Sequence, residues 1–186
     1  MDDLEKLGPL AALVGTWEGD DGLDVSYHHA DGEPGETRFR ERTTFSAFGP
    51  VDNGEQQLYG LDYRTAAWRG DDLDPFHTEV GYWLWDGAEG QVMRCFVIPR
   101  GSVVLAGGDA GAGDTSFTMR AEVGAEEYGV LSNRYLARRA RCVSYQVTIT
   151  TSADSFSYDE DTVLQMAEFD EPYHHTDRNT LHRVNE

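Results

Sequence analysis

The residues of this sequence that are best suited to chemistry are histidines near its C-terminus. His174 and His175 are adjacent, and with His182 they account for three of the six histidines in the chain. Successive side chains of a β-strand point to opposite faces, so one histidine of the pair would face an interior and the other would face solvent. An imidazole that faces an apolar cavity is a suitable ligand for a haem iron. The alternative is an ordinary pair of surface histidines.

A second candidate is His77 with Glu79, just before the aromatic run Tyr82-Trp83-Leu84-Trp85. Their spacing of two residues places both side chains on one face of a strand. Three interpretations stay open: a histidine at the mouth of a cavity, an acid–base pair acting on a small organic substrate, and a hydrogen-bonded loop histidine. A zinc deaminase is excluded, because no Cys-x-x-Cys follows downstream.

The segments that must position these side chains are predicted to be strands. Apolar and polar residues alternate over 37–45, 116–123 and 143–150, which is the pattern of half-buried antiparallel strands. Residues 7–14 predict one short helix before Gly15, and the glycine-rich stretch 107–113 predicts a loop. We therefore expect one all-β domain over residues 1–186: a closed antiparallel barrel that encloses a small ligand, or a sandwich with a solid core.

The charge of the chain excludes some partners. Its 34 Asp and Glu residues outnumber its 15 Lys and Arg residues, for a formal net charge of −19. Nucleic acid requires a basic patch, and an anionic membrane surface would repel this protein. The acidic N-terminal segment is unlike a secretory signal, which predicts a cytoplasmic protein. Cys95 and Cys142 lie in apolar alternating segments and are predicted to fill the core.

Four motifs give the chain a resemblance to a known family. They are Gly15-Thr16-Trp17-Glu18-Gly19, then Phe76-His77-Thr78-Glu79-Val80-Gly81-Tyr82-Trp83, then Pro99-Arg100-Gly101, and finally Met166-Ala167 followed by Pro172-Tyr173-His174-His175 and Leu181-His182-Arg183. In these motifs and their order, the sequence resembles the nitrobindins, which are haem-binding β-barrels similar to fatty-acid-binding proteins. The resemblance spans nearly the whole chain.

The resemblance implies a fold, a cofactor and an activity. The fold is a closed antiparallel barrel of about ten strands with a short N-terminal helix. A ferric b-type haem would lie in its mouth, bind NO and isomerise peroxynitrite to nitrate. The motif places the axial iron ligand at His175, with His174 as the alternate, and places His77 on the distal side. Candidates to pack against the porphyrin are apolar and aromatic side chains from the strands near Phe39, Phe45, Tyr82 and Phe96. A homodimer is a further expectation, and the resemblance assigns no catalytic residue.

Three other functions stay open. The first is a barrel without haem, which carries a fatty acid or another lipophile and turns its histidines outward. The second is an enzyme for a small organic substrate that uses His77 and Glu79 as its acid–base groups. The third is a structural or interaction module whose interior is packed solid.

Overall fold

The computed structural model describes residues 3–184. Within that range the chain forms an N-terminal 3-10 helix (Asp3–Leu13), eleven strands and one short α-helix, α1 (Leu136–Arg139). The strands are β1 (Gly15–His28), β2 (Glu33–Asp52), β3 (Gln57–Arg69), β4 (His77–Asp86), β5 (Gln91–Ile98), β6 (Ser102–Asp109), β7 (Ser116–Val123), β8 (Gly129–Ser132), β9 (Ala140–Thr151), β10 (Ser155–Met166) and β11 (Tyr173–Arg183). The three segments with the clearest alternation fall in β2, β7 and β9, as predicted.

The strands close into a barrel, in the order β1-β11-β10-β9-β7-β8-β6-β5-β4-β3-β2 and back to β1. Closure is made by the first and last strands, whose registered pairs include Trp17 with Arg183 and Asp24 with Asp177. The predicted fold class is confirmed, with eleven strands instead of about ten. The additional strand is the four-residue β8, which lies between β7 and β6 and runs parallel to β7.

One end of the barrel is closed by the 3-10 helix. Leu10 and Leu13 of this helix are fully buried in the same core as Trp17. The Trp17 indole donates a hydrogen bond to the Leu13 carbonyl (2.6 Å), which fixes the helix over the start of β1. The helix bends at Gly8, whose φ of +55° and whose close contact with the Trp85 ring leave no room for a side chain. None of the helices within residues 3–184 is long and apolar enough to cross a membrane.

The prediction of a loop at residues 107–113 was wrong for its first two glycines. Gly107 and Gly108 lie in β6. A Cβ atom on Gly107 would meet the Tyr128 ring at 2.2 Å, and one on Gly108 would meet the Thr118 carbonyl oxygen at 2.0 Å. Because these two glycines have no side chain, the Tyr128 ring and the Thr118 carbonyl group can lie close to the backbone of β6.

Gly81 in β4 is expected to be essential for the pairing of β4 with β5. A Cβ atom there would lie 1.9 Å from the Cys95 carbonyl oxygen, which is backbone and cannot turn aside. We expect Gly81→Ala to lower the free energy of unfolding by about 1–3 kcal/mol, measured by urea denaturation. Gly113→Ala is the control, because nothing lies within 4 Å of its added Cβ. Equal stability of the two variants would contradict the prediction.

Candidate functional site

The barrel encloses a cavity of about 410 Å³. It opens at the end opposite the 3-10 helix, where β1 and β10 end and β11 begins. This finding rules out the predicted alternative of a solid interior. The rim is aromatic, and Phe39 and Phe76 contact each other edge to face at 5.9 Å. Tyr27 and Tyr173 form a similar pair at 6.5 Å, at the end of β1 and the start of β11.

Below the rim, the wall carries a buried charged cluster centred on Arg94. The Arg94 guanidinium contacts Glu79 through Nη2 (2.5 Å) and Glu160 through Nη1 (2.9 Å), and it also bonds to the Tyr145 hydroxyl. Four aromatic rings surround it with centroids 4.4–5.8 Å from Cζ; they belong to Tyr63, Trp83, Phe96 and Tyr145. This cation is thus held by both carboxylates and π faces.

Three glutamates of the wall each accept a tyrosine hydroxyl. Tyr63 donates to Glu79 (2.9 Å) and Tyr145 donates to Glu160 (2.6 Å). The third carboxylate, Glu41, accepts neutral donors from four residues, which are Thr43, Thr65, Tyr158 and Asn179. Full hydrogen bonding of this kind is what allows a carboxylate to be buried.

The charged cluster separates the pKa values of its two glutamates. Burial alone raises the pKa of Glu79, but the charge of Arg94 and the hydrogen bonds from His77 and Tyr63 outweigh burial and lower this pKa to about 2. For Glu160, burial dominates over the attraction of Arg94, and the nearby negative charges add to it, so its pKa is raised. Glu79 is therefore the permanent counter-charge of Arg94.

Two buried donors in this cluster have no hydrogen-bond partner among residues 3–184. They are the Trp83 indole Nε1 and the Arg94 Nε. Both residues line the cavity. Buried donors are almost always bonded, so these two nitrogens are exceptions within the described part of the chain.

His175 faces the cavity. It lies on β11 with its side chain 30% exposed, and its Nε2 is 2.7 Å from Asp24 Oδ2 and 3.2 Å from Asp177 Oδ2. Burial alone lowers the pKa of His175, but the hydrogen bonds and charges of Asp177 and Asp24 outweigh it and raise the pKa to about 10. A metal ion that binds this ring displaces its proton.

His174 lies on the outer face of β11. Its side chain is 62% exposed, and its Nδ1 contacts the Asp161 carboxylate at 2.8 Å. The pairing of β10 with β11 continues without interruption from Leu164–Tyr173 to Ser155–His182. Because that register has no bulge, the inner face of β11 carries residues 175, 177, 179 and 181.

His77 also lines the cavity, next to Glu79 as predicted. Its Nε2 is 3.2 Å from Glu79 Oε1. Burial lowers the pKa of His77, but the hydrogen bond and the charge of Glu79 outweigh burial, so the pKa is raised overall. His77 therefore retains a proton more readily than a free histidine.

Of the four aromatic residues expected beside a porphyrin, three line the cavity. Phe39, Phe45 and Phe96 do so, whereas Tyr82 does not. Tyr82 is 51% exposed and packs against Phe48 on the outside of the barrel, because it has the opposite parity to His77. Sequence reasoning missed several polar residues of the cavity wall: Asp24, Glu41, Arg94, Tyr145, Tyr158, Glu160 and Asp177.

The donor set of the cavity is compatible with haem. His175 offers a ring nitrogen to the cavity, and its carboxylate partners are of the kind that orient metal-binding histidines. The aromatic rim supplies flat apolar surface, and Arg69 and Arg100 also line the mouth, where they suit the carboxylates of a porphyrin.

Comparisons with known proteins agree with this geometry. A family model described as a THAP4-like, heme-binding β-barrel domain matches residues 6–183. A solved structure titled "Crystal Structure of Rv2717c from M. tuberculosis" superposes with a TM-score of 0.67 at 19% identity, and the match covers 100% of this chain and 99% of that one. A search of curated proteins finds no match. The chain belongs to the family of THAP4-like, heme-binding β-barrel domains, as its resemblance to the nitrobindins had implied.

Proposed function

We propose that this protein binds b-type haem in the barrel cavity through His175, and that the ferric haem binds NO and isomerises peroxynitrite to nitrate. The observation that carries the proposal is the position of His175. Of the two adjacent histidines of β11, it is the one on the cavity wall. The haem-binding character of the family supports the cofactor.

The surroundings of His175 suit an axial ligand. Asp24 and Asp177 both approach Nε2, so Nδ1 is the ring nitrogen left for an iron atom. A carboxylate on the other nitrogen fixes the orientation of a metal-binding imidazole and increases its basicity. Asp24 is in turn held by the Ser26 hydroxyl, which donates to Oδ1 at 2.6 Å.

The remaining chemistry belongs to the opposite wall of the cavity. Bound haem would supply an iron coordination position that is open to NO or peroxynitrite. Glu79 raises the pKa of His77, and the protonated ring would offer a hydrogen bond to an anionic molecule in the cavity. We therefore assign His77 to the distal side.

Haem titration of two variants tests the axial assignment. We expect the wild-type protein and His174→Ala to bind hemin one to one, with a saturable Soret band, because His174 lies outside the barrel. His175→Ala should lose that band and the conversion of peroxynitrite to nitrate. A band retained in His175→Ala and lost in His174→Ala would contradict the assignment, and no saturable band in the wild type would overturn the proposal.

The second candidate function is a carrier of a fatty acid or another lipophile. The cavity itself favours it, since 410 Å³ is within the range of small-molecule sites. However, five carboxylates line the wall, namely Asp24, Glu41, Glu79, Glu160 and Asp177. Charged groups on the wall disfavour an acyl chain beside them. The inward position of His175 also differs from what this alternative predicted.

A further inference from the structure

We propose that, in the haem-free protein, Asp24, His175 and Asp177 form a binding site for a divalent first-row transition-metal ion on the cavity wall. The three donor atoms, one nitrogen and two carboxylate oxygens, lie within 4.8 Å of one another. Two carboxylates and a neutral imidazole match the charge of a divalent ion. A mixed nitrogen and oxygen donor set favours Mn²⁺, Fe²⁺, Co²⁺ or Zn²⁺ over Mg²⁺.

The spacing of the donors matches a shared ion. Nitrogen and oxygen ligands bind such ions at about 2.0–2.2 Å, so adjacent ligand atoms on one ion are about 2.8–3.6 Å apart, from octahedral to tetrahedral geometry. His175 Nε2 is 2.7 Å from Asp24 Oδ2 and 3.2 Å from Asp177 Oδ2. Small side-chain adjustments would therefore place all three atoms around one ion.

The barrel closure holds these ligands in place. Asp24 on β1 and Asp177 on β11 are registered partners, and both side chains face the cavity. Like charges directly opposite each other on a sheet repel, so this pair favours a cation between the two carboxylates, a place that protonated His175 or a metal ion can fill. His175 stands two residues before Asp177 and so shares its face.

The shell around the site has the features of a metal centre. The Ser26 hydroxyl donates to the second oxygen of Asp24 (2.6 Å), which orients that carboxylate as outer partners do in known sites. The Asp24 and Asp177 side chains are only 8% and 22% exposed. The side of the site that faces the cavity leaves room for further ligands, either water or a small molecule with oxygen donors.

The test is a titration of haem-free protein with Co²⁺, followed by visible absorption, and with Zn²⁺, followed by calorimetry. We expect one ion per chain. Asp24→Asn and Asp177→Asn should each weaken binding by at least about ten-fold, because even outer partners of a metal contribute that much. The control is Asp161→Asn, which removes the equivalent contact to His174 on the outer face and should bind as the wild type does.

The outcomes separate this proposal from the haem proposal. Asp24 and Asp177 are ligands only here, and the measurement contains no haem, so a failed haem titration does not affect it. Binding that is absent, or that survives both asparagine variants, would overturn the metal site and leave His175 alone as the counter-charge of the two aspartates. If one variant fails to fold by circular dichroism, the other still decides the question.

Discussion

Replacing Arg94 by methionine is expected to lower the free energy of unfolding by about 3–5 kcal/mol, the usual consequence of removing one partner of a buried ion pair. Arg94 is 7% exposed and bonds to Glu79 at 2.5 Å and to Glu160 at 2.9 Å. Without its guanidinium, two carboxylates would remain buried beside each other. Methionine keeps the unbranched shape of the side chain. The lost stability therefore reflects removal of the positive charge more than a change in side-chain volume.

The control for Arg94→Met is a variant in which the whole cluster is neutral. Arg94→Met combined with Glu79→Gln and Glu160→Gln removes both the cation and its counter-charges. Because an ion cluster replaced as a unit is often close to neutral in stability, we expect the triple variant to recover most of the loss in urea denaturation. A triple variant as unstable as Arg94→Met would show that the packing of the guanidinium against its aromatic cage is what matters.

The strands were predictable because period-two alternation follows directly from burial of one face. In β7 and β9 the residues of one parity, such as Met119 and Val147, are fully buried. The number of strands was less predictable, since β8 has four residues and too short a pattern to detect.

The charged interior left a signal in the sequence that could have been read. Glu41 lies between Phe39 and Phe45 in β2, on the strand face that points into the barrel. Arg94 lies within the apolar segment of β5. A charged residue at an inward position indicates either a surface strand or a buried partner elsewhere. The partners could not be identified, because Arg94 and Glu160 are 66 residues apart in sequence.

Large separation in sequence also made the partners of His175 difficult to predict. Which histidine of the pair faces inward depends on a register that one inserted residue would reverse, and only the family motif favoured His175. Its partner Asp24 is 151 residues away and meets it only because β1 pairs with β11. Asp177 alone had a local signal, since the spacing of His175 and Asp177 places both on one face.

Acid is expected to remove the contribution of Glu79 to stability between about pH 4.5 and pH 2. Burial opposes ionisation of this carboxyl, but Arg94, His77 and Tyr63 outweigh burial and lower its pKa from 4.5 to about 2, which corresponds to on the order of 3 kcal/mol. A group with a lowered folded-state pKa stabilises the fold fully above its unfolded pKa. That contribution is lost as the pH falls toward the folded value.

The measurement compares the wild type with Glu79→Gln by urea denaturation from pH 7 to pH 2. At pH 7 the variant should be the less stable by on the order of 3 kcal/mol, and the difference should shrink steadily below pH 4.5. In the wild type the raised pKa of Glu160 places its titration above that range and with the opposite sign, and because the charge of Glu79 contributes to that raised pKa, Glu79→Gln lowers it. Glu18→Gln is the control, because its ion pair with Arg42 is about half exposed and contributes little at any pH. A constant difference across the whole range would mean that Glu79 acts through packing and hydrogen bonds, without a role for its charge.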